Sequence, residues 1–434
     1  MGLMTVETES RPLLAPARTA TTPARPRAER RDLPPLLALL AEGVAFVVLL
    51  LDGGSATGRI ARIALATTLT AVAIAAAARG GRRASFVLVA AGIAGVAAGA
   101  GIGVMHVVKH DVSSAAFAAL VALPTGLALF AAGVVALTRS THGRRRLLAI
   151  PGVYVVLQFL VLPLTIAVYG TNAPRTVLDR VTPADRGLTF VDAGFTTSDG
   201  VHLSGWYLPS HNGAAAVLLH GSGETRTSVL DHAVVLARAG FGVLMFDARG
   251  HGRSGGDANE FGWYGDRDAR AAVNYLARRS DVHGGRIAAV GESMGGEEAI
   301  GAAASDTRIK AVVAEGALWR VPADTAWLAH DPAGLIARAT NWLQAQVTGL
   351  LSGAPEPAGL RDALAATAPR PVLLIAGRDE IKGDRTYRDA TPTNVDLWEM
   401  PDTAHTRGLA THPDEWRARV VGFLDAALAP ASST

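Results

Sequence analysis

Five long apolar stretches crowd into the first 170 residues: Leu33–Leu51, Ile60–Ala78, Ala84–Val108, Ala115–Leu137 and Leu147–Tyr169. Each approaches the roughly 20 residues that a helix needs to cross about 30 Å of hydrocarbon. In lipid, a segment must satisfy its own backbone hydrogen bonds, so such runs fold as helices. The expectation is a five-helix transmembrane domain over 33–170. It follows a polar, Pro- and Arg-rich tail over 1–32, whose composition suits disorder. The first stretch is long, lies far from the start and is followed by four more, which favours a retained span over a cleaved signal peptide. The mean hydropathy of +0.26 therefore averages two unlike halves.

Arg and Lys in alternate flanks number thirteen on one side (the tail, 79–83 and 139–146) and six on the other. Positive charge is retained on the cytoplasmic side, which predicts an N-terminus inside and everything after Tyr169 outside. Gly95, Gly99 and Gly103 repeat every four residues, a spacing that lets a second helix approach. Glu42 lies mid-span, where a carboxylate is costly; an interhelical hydrogen bond or a proton path would each account for it. The net charge is only +3 and its arginines separate apolar runs, which gives no footprint for nucleic acid. With no cysteine, disulfides, thiolate metal sites and a cysteine nucleophile are excluded.

After a linker over 171–186, the texture changes to short β-type runs alternating with helical ones, the pattern of βα units and a mostly parallel sheet. A hairpin turning at Asp199–Gly200 opens the domain, expected over 187–428. Apolar runs at 214–220, 242–247, 286–291, 310–316, 371–377 and 395–400 suit strands buried on both faces. Gly291-Glu-Ser-Met-Gly295 joins one of them to a helix-prone segment. This GxSxG spacing reverses the chain sharply and presents Ser293 at the carboxyl end of the sheet.

The ordered set of motifs resembles the α/β-hydrolase superfamily, in particular the branch containing dienelactone hydrolases and acyl-peptidases. "LLHGSGE" (218–224) resembles its oxyanion loop, and "FDARGHGRSGG" (246–256) a shared landmark, within which Asp247, Arg249, His251 and Ser254 are expected to be structural. The resemblance implies the α/β-hydrolase fold, Ser293 as nucleophile and an oxyanion hole built from the N–H groups of Ser222 and Met294. It also implies a late histidine, His405 in "MPDTAHTRGL", with His412 as the nearby alternative. For the acid, family spacing after Gly377 points to Glu380, while the commonness of Asp favours Asp379; Glu380 is preferred. A helical cap is expected over 317–370, with Trp319, Trp327 and Trp342 lining a pocket, touching lipid or packing on the core.

The resulting expectation is a membrane-anchored serine hydrolase of carboxylic esters, with no metal or organic cofactor, a small-molecule or lipidic acyl substrate, and membrane lipids around its anchor. A peptidase, a thioesterase, a non-catalytic binding module or a transporter built on the five spans are the competing readings.

Overall fold

The computed structural model describes residues 33–51, 56–109, 113–283 and 285–430; the expected disordered tail lies outside them. The apolar stretches form helices at Leu33–Leu49, Ala56–Ala78, Gly81–Val108 (with a π-turn at Gly99–Gly103), Ser114–Arg139 and Gly143–Thr171. Four of these are long and apolar enough to cross a membrane; the first, at 17 residues, is shorter. It spans about 26 Å at 1.5 Å per residue, so the expected five spans correspond here to four long helices and one short apolar one.

Glycine sets the spacing between the apolar helices. A Cβ on Gly92 would lie 2.4 Å from the Phe130 nitrogen, one on Gly95 2.8 Å from the Gly126 Cα, and one on Gly99 2.4 Å from the Leu123 nitrogen. The stripe thus lets Gly81–Ala98 lie backbone to backbone against Ser114–Arg139, a packing role. Glu42 is buried against Gly95 in the same seam.

The second half is built on one eight-stranded sheet. Its strands are β1 (Val191–Thr196), β2 (His202–Leu208), β3 (Ala215–Leu219), β4 (Gly242–Phe246), β5 (Ile287–Glu292), β6 (Ile309–Glu315), β7 (Val372–Gly377) and β8 (Val395–Met400). Their order is β1-β2-β4-β3-β5-β6-β7-β8, antiparallel through β1, β2 and β4 and parallel from β4 onward. The β1–β2 turn closes with Gly200 at φ 84°, as the Asp199–Gly200 pair requires.

Alternation along the strands divides the core between the two faces. Val217, Leu219, Leu244 and Ile287 pack with Ala272, Ile300 and Leu364 from the helices Gly265–Leu276, Met294–Ser305 and Leu360–Thr367. Their neighbours Leu218, Val243, Met245 and Ala288 meet Leu236, Trp416 and Val420 from Leu230–Arg238 and Pro413–Ala427 on the other face. With both faces covered, a strand has no solvent side, which is why these runs are apolar throughout rather than alternating. The order reverses at β3: the chain leaves it for β4 on one side and then crosses back from β4 to β5 on the other. A crevice opens there beyond the strand carboxyl ends, where ligands bind in sheets of this kind.

Candidate active site

β5 ends at Glu292, and the next residue must turn the chain from strand to helix. Ser293 does so at φ 52°, ψ −122°, outside the regions that most L-residues occupy. Its N–H donates to the Glu315 carbonyl at 2.7 Å, tying the turn to β6. The flanking glycines are steric necessities: a Cβ on Gly291 would lie 2.1 Å from the Gly295 carbonyl oxygen, and one on Gly295 2.4 Å from that of Leu219. Among the described non-glycine residues only Ser293 and Thr406 have positive φ, and Thr406 follows His405. Both strained positions therefore flank one site.

His405 Nε2 is 2.9 Å from Ser293 Oγ, and its Nδ1 is 3.0 Å from Glu380 Oε1. Gly316 makes room for the ring, since a Cβ there would come within 2.9 Å of His405 Cε1. The hydrogen bond to Glu380 raises the His405 pKa against the opposing effect of partial burial. Of the two acidic candidates, Glu380 is buried beside the imidazole, whereas Asp379 has a side chain 74% exposed, beside Arg378. His412 sits apart from the serine, 3.1 Å from Asp402.

The loop after β3 brings Ser222 alongside. Gly221 N–H donates to Glu224 at 3.2 Å and Gly223 N–H to Glu260 at 2.5 Å, leaving the Ser222 N–H between them without an acceptor among the described residues. Met294 occupies the first helical position after Ser293, where N–H groups have no partner within the helix.

Glu260 gave no signal in the sequence. It is buried, and its Oε2 also accepts from Ser222 Oγ at 2.6 Å while Oε1 lies 3.2 Å from His251 Nε2. Burial alone would push its carboxyl up; the hydrogen bond and charge of His251 bring it down to about 2, so it is ionised throughout the working range. The segment following the last apolar helix also grips this loop: Thr176 Oγ1 donates to the Gly223 carbonyl at 2.8 Å, and Lys109 Nζ donates to Thr176 Oγ1 at 2.7 Å. Glu260 N–H donates to the Gly170 carbonyl at 2.8 Å. A lone acid in an irregular loop carries no periodicity, and contacts of such sequence separation leave no local pattern.

The landmark residues are held internally. Asp247 accepts from the Arg226 guanidinium at 2.7 Å, Arg249 Nη1 donates to Asp199 at 2.9 Å, and Ser254 Oγ donates to the Asp247 carbonyl at 2.5 Å. His220 is buried with its pKa pushed down to about 4, mainly by burial, so it is neutral and serves the loop backbone. His232, Glu292 and Glu315 place possible metal-ligand atoms within 4.8 Å of one another beneath the turn. Glu315 already uses one oxygen on Gly408 N–H (2.7 Å) and the other on Trp416 Nε1 (2.9 Å), which fits a scaffold under Ser293 better than a metal site.

A cavity of about 400 Å³ opens over Ser293 and Met294. Its walls include Phe261, Trp319, Asn341 and Gln344, together with Ile166 from the last apolar helix of the first half. Trp327, for which pocket, lipid and core were all open, stacks on Trp319 with ring centroids 6.3 Å apart.

Residues 210–378 match the family model described as Hydrolase_4, serine aminopeptidase S33. An uncharacterized protein of Mycobacterium tuberculosis is 37% identical over 138 residues, which cover 31% of this chain and 47% of that protein. The chain thus spans about half the length of this curated relative. The Escherichia coli protein YfhR is 29% identical over 251 residues, 54% of this chain and 81% of its own length. Among solved structures, an esterase of Pyrococcus furiosus is 27% identical with a TM-score of 0.49, over 59% of this chain and 97% of that one. The sheet order and the turn at Ser293, with the match over residues 210–378, show the α/β-hydrolase fold in the second half of the chain.

Proposed function

We propose that the protein is a membrane-anchored serine hydrolase that cleaves carboxylic esters through an acyl-enzyme on Ser293. The observation that carries this reading is the relay from Ser293 Oγ through His405 to the buried Glu380, at 2.9 and 3.0 Å. In it, His405 Nε2 takes the Ser293 proton as Oγ attacks the acyl carbonyl, and Glu380 fixes the tautomer and stabilises the imidazolium. The N–H groups of Ser222 and Met294 receive the developing oxyanion. His405 then returns the proton to the departing alcohol. Water activated by the same histidine releases the acid.

An ester is favoured over a peptide N-terminus by the charges around the cavity. A free ammonium needs an available carboxylate, and the two acids lining this pocket, Glu260 and Glu297, are both committed. Glu260 holds the oxyanion loop. Glu297 accepts from the backbone of Leu318 and Trp319, and burial pushes it up to about 8, so it is mostly neutral at pH 7. The test is turnover of p-nitrophenyl esters against aminoacyl p-nitroanilides by the full chain in detergent. Ester turnover that vanishes in Ser293→Ala supports the reading, and faster anilide cleavage would replace it with a peptidase.

A further inference from the structure

The helix Pro332–Ser352 exposes large apolar side chains where a helix facing water would carry polar ones. Leu335, Ala339, Trp342, Gln346 and Leu350 are exposed, and their spacing of four, three, four and four puts them on one face. Leu335, Trp342 and Leu350 are 51%, 54% and 83% exposed, while the residues buried on the opposite side include Thr340 and Thr348. Arg338 is half-buried at the edge of the apolar face. Ile336, Leu343 and Val347 are half-buried on that inner side as well, so the helix carries large apolar residues on both faces, and its outer leucines and tryptophan form the kind of surface that a helix against lipid presents.

Its position fits that solvent. The helix packs along the end of the last membrane helix, where Gln158 Nε2 donates to Thr340 Oγ1 at 2.9 Å. Gln158 lies about 20 Å of helix before Thr171, at 1.5 Å per residue. The 29-residue run Gly143–Thr171 is about 44 Å long and exceeds a 30 Å hydrocarbon layer by about 14 Å. Even if all that excess projects beyond the membrane on the hydrolase side, Gln158 and Thr340 remain about 6 Å inside the hydrocarbon. Next to them the membrane helix exposes Leu157, Leu160 and Leu162, continuing the apolar surface. The same two helices wall the cavity over Ser293, through Ile166 on one side and Asn341, Gln344 and Ala345 on the other. Ile166 is about 8 Å of helix from Thr171, a level close to lipid headgroups rather than to the bilayer centre.

We infer that the face Leu335–Ala339–Trp342–Gln346–Leu350 is immersed in the bilayer leaflet on the hydrolase side, and that Ser293 receives acyl esters of resident lipids laterally from that leaflet. The second clause rests on the acyl-hydrolase reading above; the first does not.

The chain has no cysteine, so single nitroxide labels can be placed without competition. Trp342→Cys and Leu335→Cys would be labelled in the full chain, in phosphatidylcholine–phosphatidylglycerol vesicles. Asp425→Cys on the hydrolase domain and Leu127→Cys on a membrane helix serve as controls. Collision with dissolved oxygen in preference to a water-soluble nickel chelate, as at Leu127, is the expected result. Preference for nickel, as at Asp425, or protection from both by a protein partner or second copy, would overturn the inference. Trp342→Glu and Leu335→Glu should then lower turnover of a long-chain diacyl ester held in the vesicles by about tenfold or more, with p-nitrophenyl butyrate turnover kept within about twofold. Equal loss on both esters, or on neither, would overturn lateral entry. Lipid-facing labels in a protein that hydrolyses neither ester would leave the lipid face standing and remove the hydrolase reading instead.

Discussion

Replacing Glu380 by Gln changes one atom and removes one charge at the end of the relay. Glu380 is 3% exposed and its Oε1 lies 3.0 Å from His405 Nδ1. While His405 holds the Ser293 proton, this contact joins a carboxylate to an imidazolium. At an effective dielectric of about 20, unit charges 3 to 4 Å apart attract by about 4 to 5.5 kcal/mol. A neutral amide forfeits most of that in the transition state, which corresponds to roughly a 10³- to 10⁴-fold loss of kcat. Asp379→Asn should cost less than about twofold, because its side chain is 74% exposed and screened. The pH profile gives a second readout. The Glu380 hydrogen bond raises the His405 pKa; without it the ring keeps its basic form to lower pH, so the acidic limb of kcat/KM moves downward in pH even as the plateau falls. Stopped-flow or plate hydrolysis of p-nitrophenyl butyrate between pH 4 and 9 measures both. A loss in Asp379→Asn matching that in Glu380→Gln, or a tenfold or smaller loss in Glu380→Gln with an unmoved limb, would refute the reasoning.

Other expectations follow from the same geometry. Glu260→Gln should lower kcat about 10- to 100-fold with KM little changed, since it loosens the loop that offers the Ser222 N–H; a KM effect alone would argue against that role. Gly295→Ala forces a Cβ within 2.4 Å of the Leu219 carbonyl oxygen, so its thermal midpoint should drop by the equivalent of about 3 kcal/mol or more. Specificity for p-nitrophenyl esters should rise with acyl length by up to roughly fourfold per CH₂, about 0.8 kcal/mol each, before levelling at the end of the cavity; a monotonic fall from acetate upward would exclude an acyl pocket. Protease added to intact cells should remove a tag fused after Thr434 and spare one fused before Met1, and the opposite pattern would invert the orientation proposed from the charge count.

The parallel core was legible because strands buried on both faces must be apolar along their whole length, as 215–219, 242–246 and 372–377 are. Ser293 was legible because only small residues fit at 291 and 295, and steric demands of this kind leave a mark on sequence. Between Glu380 and Asp379 the sequence offered spacing alone; burial separates them, and burial of a single loop side chain has no local signature. Glu260, Thr176 and Lys109 escaped notice for a related reason. Glu260 and Thr176 bond the 220–223 loop and Lys109 bonds Thr176, joining segments far apart in the chain, and a hydrogen bond between distant loops imposes no periodicity on either. Hydropathy located the long apolar helices, but it did not foresee that residues 332–352 pack along the last of them, because a mixed face of Thr, Asn and Gln lowers the mean of that helix.

The central claim is that Ser293 is the nucleophile, and labelling of the full chain in its native membranes by a fluorophosphonate probe tests it most directly. Covalent modification requires a serine activated by a neighbouring base, so it reports the nucleophile without presupposing a substrate. The account predicts one phosphonylated site, on the peptide containing Ser293, abolished in Ser293→Ala and strongly slowed in His405→Ala. Undiminished labelling of the Ser293→Ala protein, or modification at another serine, would contradict it.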